Sequence, residues 1–100
     1  MNRFIVALNG GSRDQRNALT ALFQAKAWPV WHYFEDLWLL SEIPENVTAK
    51  SLHSELEKIA VIGEHSIVIL KIAEGQHEFY GRANPEGWEW MKKSWGKVSS

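Results

Sequence analysis

Val30-Trp31-His32-Tyr33-Phe34-Glu35-Asp36-Leu37-Trp38-Leu39-Leu40-Ser41 is the stretch on which the fold turns. Two runs of aromatic and branched residues flank the polar pair Glu35-Asp36, which is the pattern of a β-hairpin. Glu-Asp suits a primed two-residue turn poorly, so the spacing leaves room for a longer loop. Alternation along the strands sets Trp31 and Tyr33 opposite Val30, His32 and Phe34, and sets Trp38 opposite Leu37 and Leu39.

Upstream of the hairpin, Phe4-Ile5-Val6-Ala7-Leu8 is a continuous apolar run closed by Asn9-Gly10-Gly11, as in a strand buried on both faces. Ser12-Arg13-Asp14-Gln15 has capping-box form. Ala18, Leu19, Leu22, Phe23 and Ala27 then recur at helical spacing, which predicts a helix over 13–27 stopped by Trp28-Pro29. Downstream, Asn46 or Thr48 can cap a second helix with Ala49, Leu52, Leu56 and Ile59 on one stripe and Gly63 at its end. Ser66 to Ile72 reads as another strand, closed by Gly75. A hairpin with a strand and a helix on either side is β-α-β-β-α-β, so the expected fold is α+β and ferredoxin-like.

This core (1–75) is followed by an extension (76–100) with a short strand over His77–Tyr80. Asn84 can cap a terminal helix with Pro85 at its first position, and Trp88, Met91 and Trp95 form one apolar stripe. No repeat, low-complexity tract or linker interrupts the chain, so residues 1–100 read as a single domain.

In a ferredoxin-like domain both helices cover one sheet face and the other is open, where polar residues are expected. Here Phe4, Val6 and Leu8 alternate with Ile5 and Ala7, and Ile67, Ile69 and Lys71 alternate with Val68, Leu70 and Ile72, so both faces are largely apolar. Such a patch needs a cover. One cover is a second copy of the chain, through the sheet face or edge; the other is the Trp88–Trp95 helix folded back, and the two are compatible. The expectation adopted is a homodimer, with Trp31, Tyr33, Trp38, Trp88, Met91 and Trp95 at the interface. The six tryptophans are accordingly read as core or interface. Base stacking needs exposed rings beside positive charge, a condition met only by Trp90 and Trp95 near Lys92, Lys93 and Lys97.

Eleven Lys and Arg against twelve Asp and Glu leave a net charge of −1, so no global basic field points to nucleic acid. A nucleic-acid partner would need a local patch: Gly10, Gly11, Arg13 and Arg16 as an anion cradle at a helix start, or Lys92, Lys93 and Lys97. Without a cysteine there is no disulfide, thiol nucleophile or cysteine-ligated metal. The four histidines, His32, His53, His65 and His77, include no i,i+3 or i,i+4 pair, so neither a metal nor a cofactor is expected. His32 beside Glu35 and Asp36 is the densest titratable cluster. Five apolar residues after Arg3 are too few for a signal peptide, and no run is long enough to span a membrane. A cytoplasmic protein without membrane association is expected.

The order of elements and the Trp31-His32-Tyr33-Phe34…Leu37-Trp38-Leu39-Leu40 hairpin resemble small ferredoxin-like proteins related to the smaller subunit of the CRISPR adaptation complex. That group includes the virulence-associated D toxins. The chain is more closely similar to bacterial proteins with a Trp-His-Tyr hairpin and a Gly-Trp-x-Trp tail, here Trp31-His32-Tyr33 and Gly87-Trp88-Glu89-Trp90. The resemblance implies a homodimer whose C-terminal segment packs across its partner, and nucleic-acid binding or RNA cleavage with an Asp at the end of the first strand. This chain has Leu8-Asn9 there, which removes the charged anchor for a divalent cation. The expectation is a non-catalytic homodimeric binding or assembly module in a defence or toxin–antitoxin setting, with nucleic acid or protein as partner. The alternatives are a degenerate metal-dependent ribonuclease using Asn9, Asp14 and His32, and a protein-binding inhibitor or immunity-type protein.

Overall fold

The apolar run near the N-terminus forms β1 (Asn2–Leu8), and the following turn leads into α1 (Arg13–Ala25). The hairpin is β2 (Val30–Phe34) and β3 (Leu37–Ile43), followed by α2 (Ala49–Glu57) and β4 (Ile67–Ile72). The extension holds β5 (Glu78–Phe79), α3 (Pro85–Ser94) and β6 (Lys97–Val98). The computed structural model describes residues 1–72 and 78–98, and for Lys97 and Val98 the backbone alone. His77, the 75/76 boundary and the Lys97 side chain therefore lie outside the described residues.

The main sheet runs β2-β3-β1-β4 with every neighbouring pair antiparallel. Four antiparallel strands and three helices make a small α+β domain, compatible with the ferredoxin-like arrangement. β5 and β6 pair in parallel as a separate two-stranded ribbon; β6 has no counterpart in the sequence reading. Among the described residues no helix is long and apolar enough to cross a membrane.

Local chemistry explains the helix boundaries. Ser12 Oγ accepts from the Gln15 amide at 3.1 Å, and Gln15 Oε1 accepts from the Ser12 amide at 2.8 Å, closing the capping box. α1 stops two residues short of Ala27, because Ala27 adopts a left-handed conformation (φ 58°) that turns the chain toward Trp28-Pro29. Thr48, not Asn46, caps α2, with Ser51 returning the reciprocal bond. That helix ends at Glu57, and Gly63 (φ 50°) falls in the turns beyond it.

Two apolar clusters lie on opposite sides of the sheet. Phe4, Val6, Trp38 and Leu40 meet Leu19 and Phe23 of α1 and Leu52 and Leu56 of α2. On the other side Trp31 and Leu39 meet Phe79 and Trp95, with Trp88, Met91, Ile5 and Ile72 packed around them. The folded-back tail thus covers part of the second face from within the chain. Trp38, expected at an interface, belongs instead to the helix-side core and is fully buried, so it presents nothing to a partner.

The hairpin departs from strict alternation. Phe34 pairs with Leu37, so Glu35-Asp36 is the whole turn and the longer loop does not form. The register slips between Trp31 and Phe34. That bulge turns Phe34 to the Trp31 side, where the two rings meet edge to face at 4.9 Å.

Candidate functional site

The tail is held by groups that would otherwise be orphaned. The Trp31 indole N–H donates to the Gly87 carbonyl at 3.0 Å in a buried contact. At the far end of α3, the Ser94 carbonyl accepts from Ser41 Oγ at 3.0 Å and from Arg3 Nε at 3.5 Å. A last-turn carbonyl has no partner inside its helix, and a cation at that end also suits the helix dipole. Gly87 allows this approach. A Cβ there would lie 2.9 Å from Trp31 Nε1, 3.0 Å from Tyr33 Cδ2 and 3.2 Å from Asn84 Oδ1.

Between the tail and the sheet remains an apolar groove of about 240 Å³. Ile5, Leu37 and Leu39 supply its sheet side; Trp31 and Phe34 come from β2, and Trp88, Met91 and Trp95 from the tail. Tyr80 and Arg82, on the segment entering α3, complete the lining. Phe34 is 51% exposed and Tyr80 79%, so the groove opens to solvent through aromatic rings. Arg82 is the one charged residue of the lining and makes no hydrogen bond or ion pair with the described residues.

Beyond the tail's reach the same sheet face continues onto β4, where Val68 is 59% and Leu70 53% exposed. Among the described residues β4 pairs only with β1, which leaves its outer edge open. The sequence reading made both faces of this strand apolar but did not single these side chains out. Nor did it nominate Phe34, Tyr80 or Arg82. The Tyr80-Gly81-Arg82 triplet beside a tryptophan-rich helix was the available signal, but its meaning depends on how the tail folds.

The turn from β1 to α1 is arranged around an internal anion. The Gly11 amide donates to Asp36 Oδ2 at 3.3 Å, and Arg16 lies 3.5 Å from Asp36 Oδ1 while donating to the Gly11 carbonyl at 2.7 Å. Asp36, from the hairpin turn, therefore occupies the place where the sequence reading set an anion cradle. A Cβ at Gly11 would fall 2.9 Å from Asp36 Oδ1 and collide with Leu8. Gly10 and Arg13 of the same set are exposed.

His32 is likewise engaged. Its Nε2 faces the Glu35 carbonyl at 2.8 Å, an atom that can only accept, so Nε2 carries the proton. Nδ1 lies 3.4 Å from Thr20 Oγ1, and that hydroxyl accepts from Trp38 Nε1 at 3.1 Å. The imidazole stacks on Trp38 at 4.3 Å. This chain of bonds joins β2, β3 and α1. Asn9 is exposed, its backbone carbonyl facing His65 Nε2, and Asp14 is exposed in the first turn of α1. Among the described residues no three His, Cys, Asp or Glu side chains converge to hold an ion.

The basic residues do not form one surface. Arg13 and Arg16 belong to α1, Lys92 and Lys93 to α3, and these helices pack against opposite faces of the sheet. Lys92 lies 3.1 Å from Glu89. A search for similar proteins among family models, curated sequences and solved structures found no match to this chain.

Proposed function

We propose that the chain is a non-catalytic binding module of ferredoxin-like fold that works as a homodimer joined along β4. One observation carries this reading: an edge strand left open among the described residues presents two half-exposed aliphatic side chains, Val68 and Leu70, on a face that the chain's own tail covers only in part. Proteins ordinarily guard such edges with charge, proline or a covering segment. Only Lys71 interrupts the aliphatic run of β4.

An antiparallel edge is complementary to itself, so a two-fold axis beside β4 joins two sheets and brings Val68 and Leu70 of each copy together. A net charge of −1 adds little repulsion between copies. The groove remains outside that contact as the binding element of each protomer. Of the partners that the family resemblance implies, the geometry favours a protein surface over nucleic acid, because the candidate contact is apolar and the basic residues are divided between two faces. Replacing Leu70 by Glu sets a charge at the centre of the proposed contact. Sedimentation velocity is expected to show a dimer for the parent chain and a monomer for L70E, with unchanged far-ultraviolet circular dichroism. An L70E variant that sediments like the parent contradicts the proposal.

A further inference from the structure

We propose that the groove under the tail binds a small aromatic or aliphatic carboxylate, its ring or chain against the sheet and its anionic group at Arg82. Three observations converge. First, the space is apolar: apart from Arg82, the lining consists of aromatic, aliphatic, glycine and methionine residues. Second, its size is limited. A dry protein cavity of roughly 150 Å³ accommodates benzene. About 240 Å³ therefore suits a two-ring system or a medium-length chain. Sites for large ligands or cofactors begin at roughly 300 Å³.

Third, the single charge has no partner among the described residues. Arg82 lines the groove, has no hydrogen-bond or ion-pair partner among the described residues, and presents a planar donor fork that matches a carboxylate. Tyr80, packed edge to face against Trp88 at 6.4 Å, and half-exposed Phe34 flank the opening and offer rings to a flat ligand. The ligand class follows from this pairing of an apolar slot with one cation. The inference rests on reading the chain as a binding module, not on its being a dimer.

The tryptophans supply the readout, because each indole N–H gives its own signal in a nitrogen–proton correlation spectrum. Trp31, Trp88 and Trp95 line the groove, whereas Trp28 and Trp38 lie with the opposite cluster. Titration with indole-3-acetate is expected to move the first three in a saturable way, with a Kd on the order of 0.1 mM. Trp28 and Trp38 should stay in place. The uncharged indole-3-acetamide should bind about fivefold more weakly, the upper range for a solvent-exposed ion pair. Arg82→Gln should bring the acid to the affinity of the amide while leaving the amide unchanged, and Phe34→Ala should weaken both.

Equal affinity for acid and amide overturns the proposal and assigns the slot to an uncharged side chain of a protein partner. Shifts centred on Trp28 and Trp38, or no saturation at millimolar ligand, overturn it as well. A chain that binds the acid yet sediments as a monomer refutes the β4 dimer alone.

Discussion

Single residues carry identifiable strain and fit. Ala27 holds a left-handed backbone that costs a residue with a Cβ about 1–2 kcal/mol, partly offset in a glycine variant by the extra freedom of the unfolded chain. Ala27→Gly is therefore expected to raise unfolding stability by about 0.5–1 kcal/mol, read as a higher urea midpoint at unchanged m-value. Gly87→Ala should act in the opposite direction. Alanine is the better helix former, but its methyl would press on two rings and on the capping Asn84. A loss of about 1–3 kcal/mol is expected, since none of these neighbours is the free end of a flexible chain. At Glu45 the hydrogen bond from the Met1 amino group, 2.7 Å away, holds the carboxyl below its usual value; Asn2 adds to this and desolvation opposes it. The folded carboxyl is the stronger acid. Its contribution is thus complete above the ordinary carboxylate range and disappears as pH falls through the lowered value. Acetylating the amino group should return the Glu45 titration, followed by carbon-13 NMR, toward its ordinary value near 4.5.

At the scale of elements, the joint between α3 and the sheet decides how much of the second face stays open. Trp31→Phe keeps most of the ring but leaves the buried Gly87 carbonyl without its donor, at a cost of about 1–3 kcal/mol. If α3 is a separately anchored element, its amides should exchange with deuterium faster in this variant while those of β1 and β3 keep their protection. Capping made the helix starts legible in the sequence: Ser12-Arg13-Asp14-Gln15 and Asn84-Pro85 mark α1 and α3 by the donors they satisfy. The hairpin was legible from its two apolar runs, yet the bulge between Trp31 and Phe34 was not, because a register slip depends on cross-strand packing that no local pattern records. Trp38 was misassigned for a related reason. Periodicity separates the two faces of a strand without saying which one the helices cover. The groove was the least legible feature, since Ile5, Leu37, Trp88 and Arg82 meet only after a non-local folding-back of the tail.

For the whole molecule, one of the two covers weighed for the apolar second face is visible within the chain. The tail shields β2, β3 and part of β1 through Trp31, Trp95 and their neighbours, while Val68 and Leu70 of β4 stay exposed, and it is there that the proposed dimer would form. The anion cradle and the His32 cluster, which drew attention as chemistry, are taken up by structure: Asp36 is bound at the Gly11 turn, and His32 links Thr20 to the Glu35 carbonyl. The central claim is that two chains join through β4. Light scattering at tens of micromolar protein tests it most directly: the account predicts twice the 11.5 kDa of one chain, and the mass of a single chain would contradict it.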